Sequence, residues 1–258
     1  MNSRVLIMIC IILAPAIVSA DITDGLVAHL PLDTNANDIS GNGNNGIISG
    51  NPHSVPGVIG QAMEFDGAKD YIKLNRSVIG SYCSICLWFN STQTNTAPDD
   101  GFPVLIRLHD YGIMMVMNEG GSGKLSGKLF NTHSTPPQYS YRTTEGVYND
   151  GEWHHMVVAY GQPDGFTVYI DGVLRHTDNT NGMGAIYSNT NSGVFLARDG
   201  GFYSNSNEPG TCNQFKGKLD DVRIYNRALT EDEVQEIYAE SDSGEEDCLL
   251  YTSDAADE

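Results

Sequence analysis

The chain has 258 residues, with 33 acidic against 14 basic side chains and a formal charge of −19 at pH 7. A charge that negative argues against nucleic acid or an anionic membrane as a partner, and it is compatible with a neutral sugar ligand, with bound cations, or simply with solubility. No internal repeat of solenoid or propeller period is apparent, and the length between the two ends discussed below suits one β-sandwich with a single core.

The elements follow in chain order. Arg4 supplies a short positive region, residues 5–18 are almost entirely apolar, and Val18-Ser19-Ala20 offers small residues for cleavage. That is the pattern of a secretory signal peptide over residues 1–20, too short and too early for a membrane span. It predicts a secreted or cell-surface protein, periplasmic if the source is bacterial, whose mature chain starts at Asp21. Strand-like runs then alternate with Gly, Asn, Asp and Pro punctuation. They include 25–33, 60–67, 70–74, 84–89, 151–160 and 166–174, with Trp88, Trp153 and Phe65 expected in the interior. Asp171-Gly172 sits between two of these runs and predicts a tight hairpin, because a type I′ turn needs positive φ at both central positions.

Residues 215–238, FKGKLDDVRIYNRALTEDEVQEIY, are the most informative stretch. Leu219 is out of phase with Val222 and Ile224, so a bulge is expected at Asp220-Asp221. Thr230 reads as an N-cap with Glu233 three residues on, a capping box. Leu229 and Val234 stand where a hydrophobic staple needs them. A helix over 231–239 follows, the single convincing one in the chain. Residues 241–247 are polar and acidic and read as a linker. Residues 248–258, from Cys248 onward, back-translate without interruption into the read-through of a common transposon-based sequencing adapter, so they are expected to be a non-native tail.

The order of these segments resembles the laminin-G-like, concanavalin A-like jelly rolls. The similarity rests on the opening strand and loop at 25–46, the strand pair at 60–74, the Trp88 strand, the central hairpin at 151–174 and the closing strand and helix at 215–238. It spans nearly the whole mature chain. The resemblance implies an all-β sandwich of two antiparallel sheets with one short C-terminal helix over residues 21–240. It also implies a non-catalytic module that recognises a glycan or an extracellular protein. A glycoside hydrolase or polysaccharide lyase on the same jelly roll, or the accessory domain of a larger enzyme, is the alternative.

Asp33, Asn35 and Asp38 place carboxylate and amide oxygens in the first loop, the ligand type a calcium ion takes. The spacing is not an EF-hand, and Asx-turn chemistry is the competing explanation. Jelly rolls of this resemblance often hold a structural calcium between the first loop and the last strand. By similarity to laminarinase-like glycoside hydrolases, Asp220 is the expected terminal-strand ligand. Those hydrolases carry two glutamates and an aspartate alternating on one strand face, and no strand here has that arrangement. Tyr139, Tyr141, Phe202 and Tyr203 place aromatic faces among polar residues, where they either stack on sugar rings or close the sandwich edge. His154-His155 is the other adjacent pair of potential ligands, but neighbours on a strand face opposite sides, so one is expected buried and hydrogen-bonded. Cys83, Cys86 and Cys212 allow one disulfide, with Cys83 or Cys86 joined to Cys212, or three reduced thiols. Asn75 and Asn90 begin glycosylation sequons.

Overall fold

The computed structural model describes residues 21–74, 82–94, 103–108, 113–117, 122–131, 138–161, 165–178, 193–198 and 214–241. The signal peptide, most of the acidic linker, the tail, Asn75, Phe202, Tyr203 and Cys212 lie outside these residues. In chain order the first strands are β1 (Leu26–Leu30), β2 (Gly46–Ser49), β3 (His53–Pro56), β4 (Gln61–Asp66) and β5 (Tyr71–Leu74). They are followed by β6 (Cys83–Asn90), β7 (Val104–Leu108), β8 (Ile113–Met117), β9 (Leu125–Asn131) and β10 (Gln138–Thr143). The chain continues with β11 (Trp153–Gly161), β12 (Gly165–Ile170), β13 (Val173–Asp178), β14 (Val194–Leu196) and β15 (Lys216–Tyr225), and closes with helix α1 (Glu231–Ala239).

These strands form two antiparallel sheets. Sheet A has the order β13-β12-β11-β6-β15-β4-β3, with β1 also paired to β15, and sheet B has the order β10-β9-β8-β7-β14-β5-β2. The core lies between them. Ile85, Leu87 and Phe89 of β6, Val158 of β11 and Val168 of β12 meet Ile72, Leu74, Met115, Leu129 and Leu196 from sheet B. A second apolar layer lies on the outer face of sheet A, where Val234 and Ile237 of α1 and Leu229 cover Cys86, Val157, Tyr169 and Tyr225. Covered on both faces, β6 shows no polar alternation in its sequence CSICLWFN, and seven of its eight residues are buried. At the open side of the sandwich the Arg142 guanidinium of β10 reaches across to His176 and Asp178 of β13, at 2.6 and 2.5 Å. That contact ties the edge strands of the two sheets together.

Local chemistry accounts for the turns. Asp171 and Gly172 have φ of +52° and +71°, as the I′ hairpin between β12 and β13 requires. The register of β15 against β6 slips between Asp220 and Arg223, and Asp221 has φ +45°. This is the expected bulge, and it lets Leu219, Val222 and Ile224 all face the core. Trp88 and Phe65 are buried as expected, whereas Trp153 at the start of β11 is only half-buried.

Helix α1 starts where its sequence says. Thr230 accepts a bond from the Glu233 amide while the Glu233 carboxylate accepts from the Thr230 amide, completing the capping box, and Leu229 and Val234 are both buried. Thr230→Ala should cost about 1 kcal/mol, and a domain of this size should then melt about 2–4 °C lower. A thermal melt reads this directly. An unchanged midpoint would mean that Arg227, bonded to Glu233 at 2.6 and 2.8 Å, holds the helix start without the cap.

Candidate functional site

The expected calcium residues lie in the first loop and at the bulge of β15, and the structure brings only some of them together. Asp33 and Asp220 grip opposite ends of the turn between β3 and β4. Asp33 Oδ1 accepts the Gln61 amide at 2.7 Å, and Asp220 Oδ2 accepts the Val58 and Ile59 amides at 2.7 and 3.0 Å. The approach is close enough to need glycine. A Cβ on Gly57 would stand 2.5 Å from Asp220 Oδ2, and one on Gly60, where φ is +71°, would stand 2.7 Å from Asp33 Oδ1.

Asp38 and Asn35, also expected as ligands, make hydrogen bonds within the first loop and, for Asp38, to β1. Asp38 accepts the amides of His29, Ser40 and Asn44 at 2.8–2.9 Å, and Asn35 closes an Asx turn onto the Asn37 amide. Burial works against the charge on Asp38, but these amides hold its carboxyl below the usual range. Among the described residues no three His, Cys, Asp or Glu side chains are grouped to hold a metal ion. One oxygen nevertheless fits a cation. Asp220 is fully buried and its Oδ1 has no hydrogen-bond partner. Burial, reinforced by the neighbouring Asp221, pushes its carboxyl up to about 7, so an ionised Asp220 calls for a compensating positive charge.

Beside it, under α1, lies a buried polar cluster that the sequence did not signal. Asp221 bonds His29 Nε2 at 2.5 Å and stands 2.9 Å from the Arg223 guanidinium, which also bonds Glu240 at the end of α1. Burial opposes ionisation of Asp221, but the His29 bond and the Arg223 charge hold its carboxyl below the usual range. Trp88 stacks on Tyr238 with centroids 5.4 Å apart, and His155 packs 5.0 Å from Trp88. One of the two was expected to be buried and hydrogen-bonded, and the one that faces inward is His155. It is buried, yet neither ring nitrogen has a hydrogen-bond partner, and burial pushes its pKa down to about 4, so it is neutral. His154 makes the bonds instead, to Asp171 at 3.0 Å and Asp150 at 3.3 Å. The two rings do not form a metal pair.

The outer face of sheet B has a different character. Directly opposed residues on antiparallel strands share a face. The register runs Ile47 to Lys73, Lys73 to Phe195, Phe195 to Arg107, Arg107 to Met114 and Met114 to Lys128. Tyr141 of β10 continues the row opposite Lys128, and Tyr139 lies opposite Phe130. The Lys73 ammonium lies 5.6 Å from the Phe195 ring centroid and the Arg198 guanidinium 4.7 Å from that of Tyr71, both cation–π geometry. Tyr71 and Phe195 are half-buried, with ring centroids 6.3 Å apart, and Met114 with Val104 and Val116 makes an apolar floor. No Asp or Glu occurs in any strand of this sheet. The strand carboxylates, Glu64, Asp66, Asp178, Asp220 and Asp221, all belong to sheet A.

Cys83 faces the inter-sheet core and Cys86 the helix side, both as buried thiols with pKa values raised by burial. The Asn90 amide of the second sequon donates to the Gly151 carbonyl, so a glycan there would have to break that bond. Among the described residues no helix is long and apolar enough to cross a membrane.

Comparison with the curated proteins finds no sequence match. Among solved structures, the chain is similar to domain 4 of AbnA, a GH43 extracellular arabinanase from Geobacillus stearothermophilus, determined in complex with arabinotriose. Identity is 24%, the TM-score is 0.61, and the match covers 83% of this chain and 98% of that one. It is also similar to the binding domain of Paraclostridial Mosquitocidal Protein 1, at 19% identity and TM-score 0.64, covering 85% of this chain and 53% of that one. The receptor binding domain of a botulinum neurotoxin C/D mosaic serotype matches at 14% identity and TM-score 0.63, covering 84% and 52%. The chain therefore spans about half the length of the toxin domains, and at these identities the likeness concerns the fold. Residues 66–235, most of the described sandwich, match one family as a continuous segment, and the chain belongs to the concanavalin A-like lectin/glucanase superfamily.

Proposed function

We propose that this chain is a secreted, non-catalytic recognition module that binds glycan on the outer face of sheet B. The observation that carries the reading is the ring pair at the accessible end of the cross-strand row. Half-buried rings at Tyr71 and Phe195 sit beside fixed cations on a rigid sheet, which is the equipment for stacking on a sugar and hydrogen-bonding its oxygens. By register Tyr141 continues the row, and Tyr139 lies two positions before it on the same strand. The strands of that face carry no carboxylate pair for acid–base or nucleophilic attack on a glycosidic bond, which favours binding over turnover. The similarity to a domain crystallised with arabinotriose and to toxin binding domains supports the same reading, at the level of fold. Within this proposal calcium is held by Asp220 Oδ1 rather than by Asn35 and Asp38, and what it supplies there is charge compensation for a buried carboxylate.

Polysaccharide affinity gels and reducing-sugar assays test the reading. The protein should be retarded by at least one polysaccharide and release no reducing end or unsaturated product from any. Phe195→Ala should weaken retention about threefold to tenfold through loss of a ring contact. Product formation abolished by one acidic substitution would make the chain a glycosidase or lyase instead.

A further inference from the structure

The first loop carries two Asn-Gly pairs, Asn42-Gly43 and Asn45-Gly46, and the structure gives them opposite surroundings. In an Asn-Gly pair the side-chain amide is open to attack by the next backbone nitrogen, because glycine has no Cβ to shield that nitrogen. At the second pair the nitrogen is occupied. The Gly46 amide donates to the Ala36 carbonyl at 2.7 Å. A Cβ on Gly46 would stand 2.5 Å from Ile72 Cγ2 and 2.9 Å from Ala36 Cβ, so the backbone there has no room to turn. At the first pair the nitrogen is open. Asn42 and Gly43 are both exposed, and the Gly43 amide donates no hydrogen bond among the described residues. A Cβ on Gly43 would meet nothing within 4 Å. The Asn42 side chain meanwhile fastens the loop to β1. Its Nδ2 donates to the Leu26 carbonyl at 2.9 Å and to Ser40 Oγ at 3.1 Å.

We infer that Asn42 is a site of self-modification, converting through a succinimide to aspartate or isoaspartate and so unfastening the first loop from β1, while Asn45 is spared. The Gly43 amide nitrogen gives its proton to a solvent base and bonds to Asn42 Cγ. The Cγ–Nδ2 bond breaks, and Nδ2 leaves as ammonia. Water then opens the ring at one of its two carbonyls. Opening at Cγ leaves an aspartate, and opening at the backbone carbonyl leaves an isoaspartate whose main chain runs through Cγ. The water taken up replaces the ammonia lost, and no enzyme, oxidant or cofactor takes part. Either product exchanges an amide donor for a carboxylate, which changes the local physics of the loop. In the aspartate product the new group faces the Leu26 carbonyl, an acceptor with which it makes no bond, and it shares the loop with the ionised Asp38. The lost bond and the added charge both favour release of the loop from the strand. The ammonia does not return, so the change marks the age of each copy. It is independent of what the module binds.

The test is peptide mapping of the whole protein aged at mildly alkaline pH, once folded and once unfolded in urea. Each Asn-Gly peptide is scored for a gain of one mass unit, and for isoaspartate by a methyltransferase specific to it. In urea the two pairs should react at similar rates, since glycine follows both asparagines. In the folded chain Asn45 should react about tenfold more slowly than Asn42, the protection expected from one backbone hydrogen bond that must first open. Asn42→Asp imitates the product and should melt about 2–4 °C below the wild type, through loss of the bond to Leu26. Equal rates at the two pairs in the folded chain, or no product at Asn42 by the time the unfolded chain is converted, overturns the site. A tenfold difference that persists in urea overturns the protection assigned to the Gly46 bond. A melting curve for Asn42→Asp that coincides with the wild type overturns the unfastening.

Discussion

Arg223→Met should lower the stability of this protein by about 3–5 kcal/mol, the largest loss expected from any single substitution outside the apolar core. The Arg223 guanidinium lies between Asp221, which is 3% exposed, and Glu240 at the C-terminal end of α1. Methionine keeps the length and most of the packing but removes the charge, leaving Asp221 buried with His29 as its partner. It also releases α1 at one end, since Glu240 loses its bond to the sheet. At about 2–4 °C per kcal/mol, the melting temperature should fall by about 10 °C. Adding Asp221→Asn to Arg223→Met should recover a large part of the loss. Removing both charges leaves no orphan, and asparagine tolerates the positive φ at this position. A melting curve unchanged by Arg223→Met would show the contact to be ornamental. A double variant no better than the single one would show that the loss comes from packing.

What the sequence disclosed and what it withheld divide along physical lines. The capping box at Thr230 and Glu233, the bulge at Asp220-Asp221 and the Asp171-Gly172 hairpin were legible because each is set by residues within a few positions of one another. The network around Arg223 was not, since His29 and Asp221 are 192 residues apart and no local pattern marks them as partners. His155 misled for a related reason. Strand parity predicts that one of two adjacent histidines goes inside, but neither which one nor whether its nitrogens find anything there. The first loop illustrates a deeper ambiguity. Asp33, Asn35 and Asp38 in one short loop serve a metal or a set of Asx turns equally well, and the amides of His29, Ser40 and Asn44 claim Asp38. The row on sheet B needed the register of five strands drawn from residues 71–196. Read alone, those strands showed scattered cations, rings and apolar residues of no evident purpose.

Calcium and Asp220 give the second large effect, in which pH and metal act in opposite directions. Burial raises the Asp220 carboxyl from its ordinary value near 3.8 to about 7, so the folded state binds this proton more tightly than the unfolded state does. The stability linked to Asp220 is therefore fully present below about pH 4 and declines as pH rises toward 7. By pH 8 the folded protein must hold a buried carboxylate at a cost of about 4 kcal/mol relative to the protonated form. In chelator at that pH, Asp220→Asn should be more stable than the wild type, because the amide keeps an acceptor for Val58 and Ile59 and carries no charge. Calcium should close most of that gap. A metal bound only by the folded state adds about 2.7 kcal/mol at a hundredfold excess over Kd, which raises the wild-type melting temperature by about 5–10 °C and leaves Asp220→Asn unmoved. Four melts at pH 8, both proteins with calcium and with chelator, separate the two causes. Coincident wild-type curves would remove calcium from the site while leaving the chelator comparison to stand or fall on burial alone. A wild type already more stable than Asp220→Asn in chelator would mean that Oδ1 has a partner other than a metal, and that the carboxylate is held ionised within the fold.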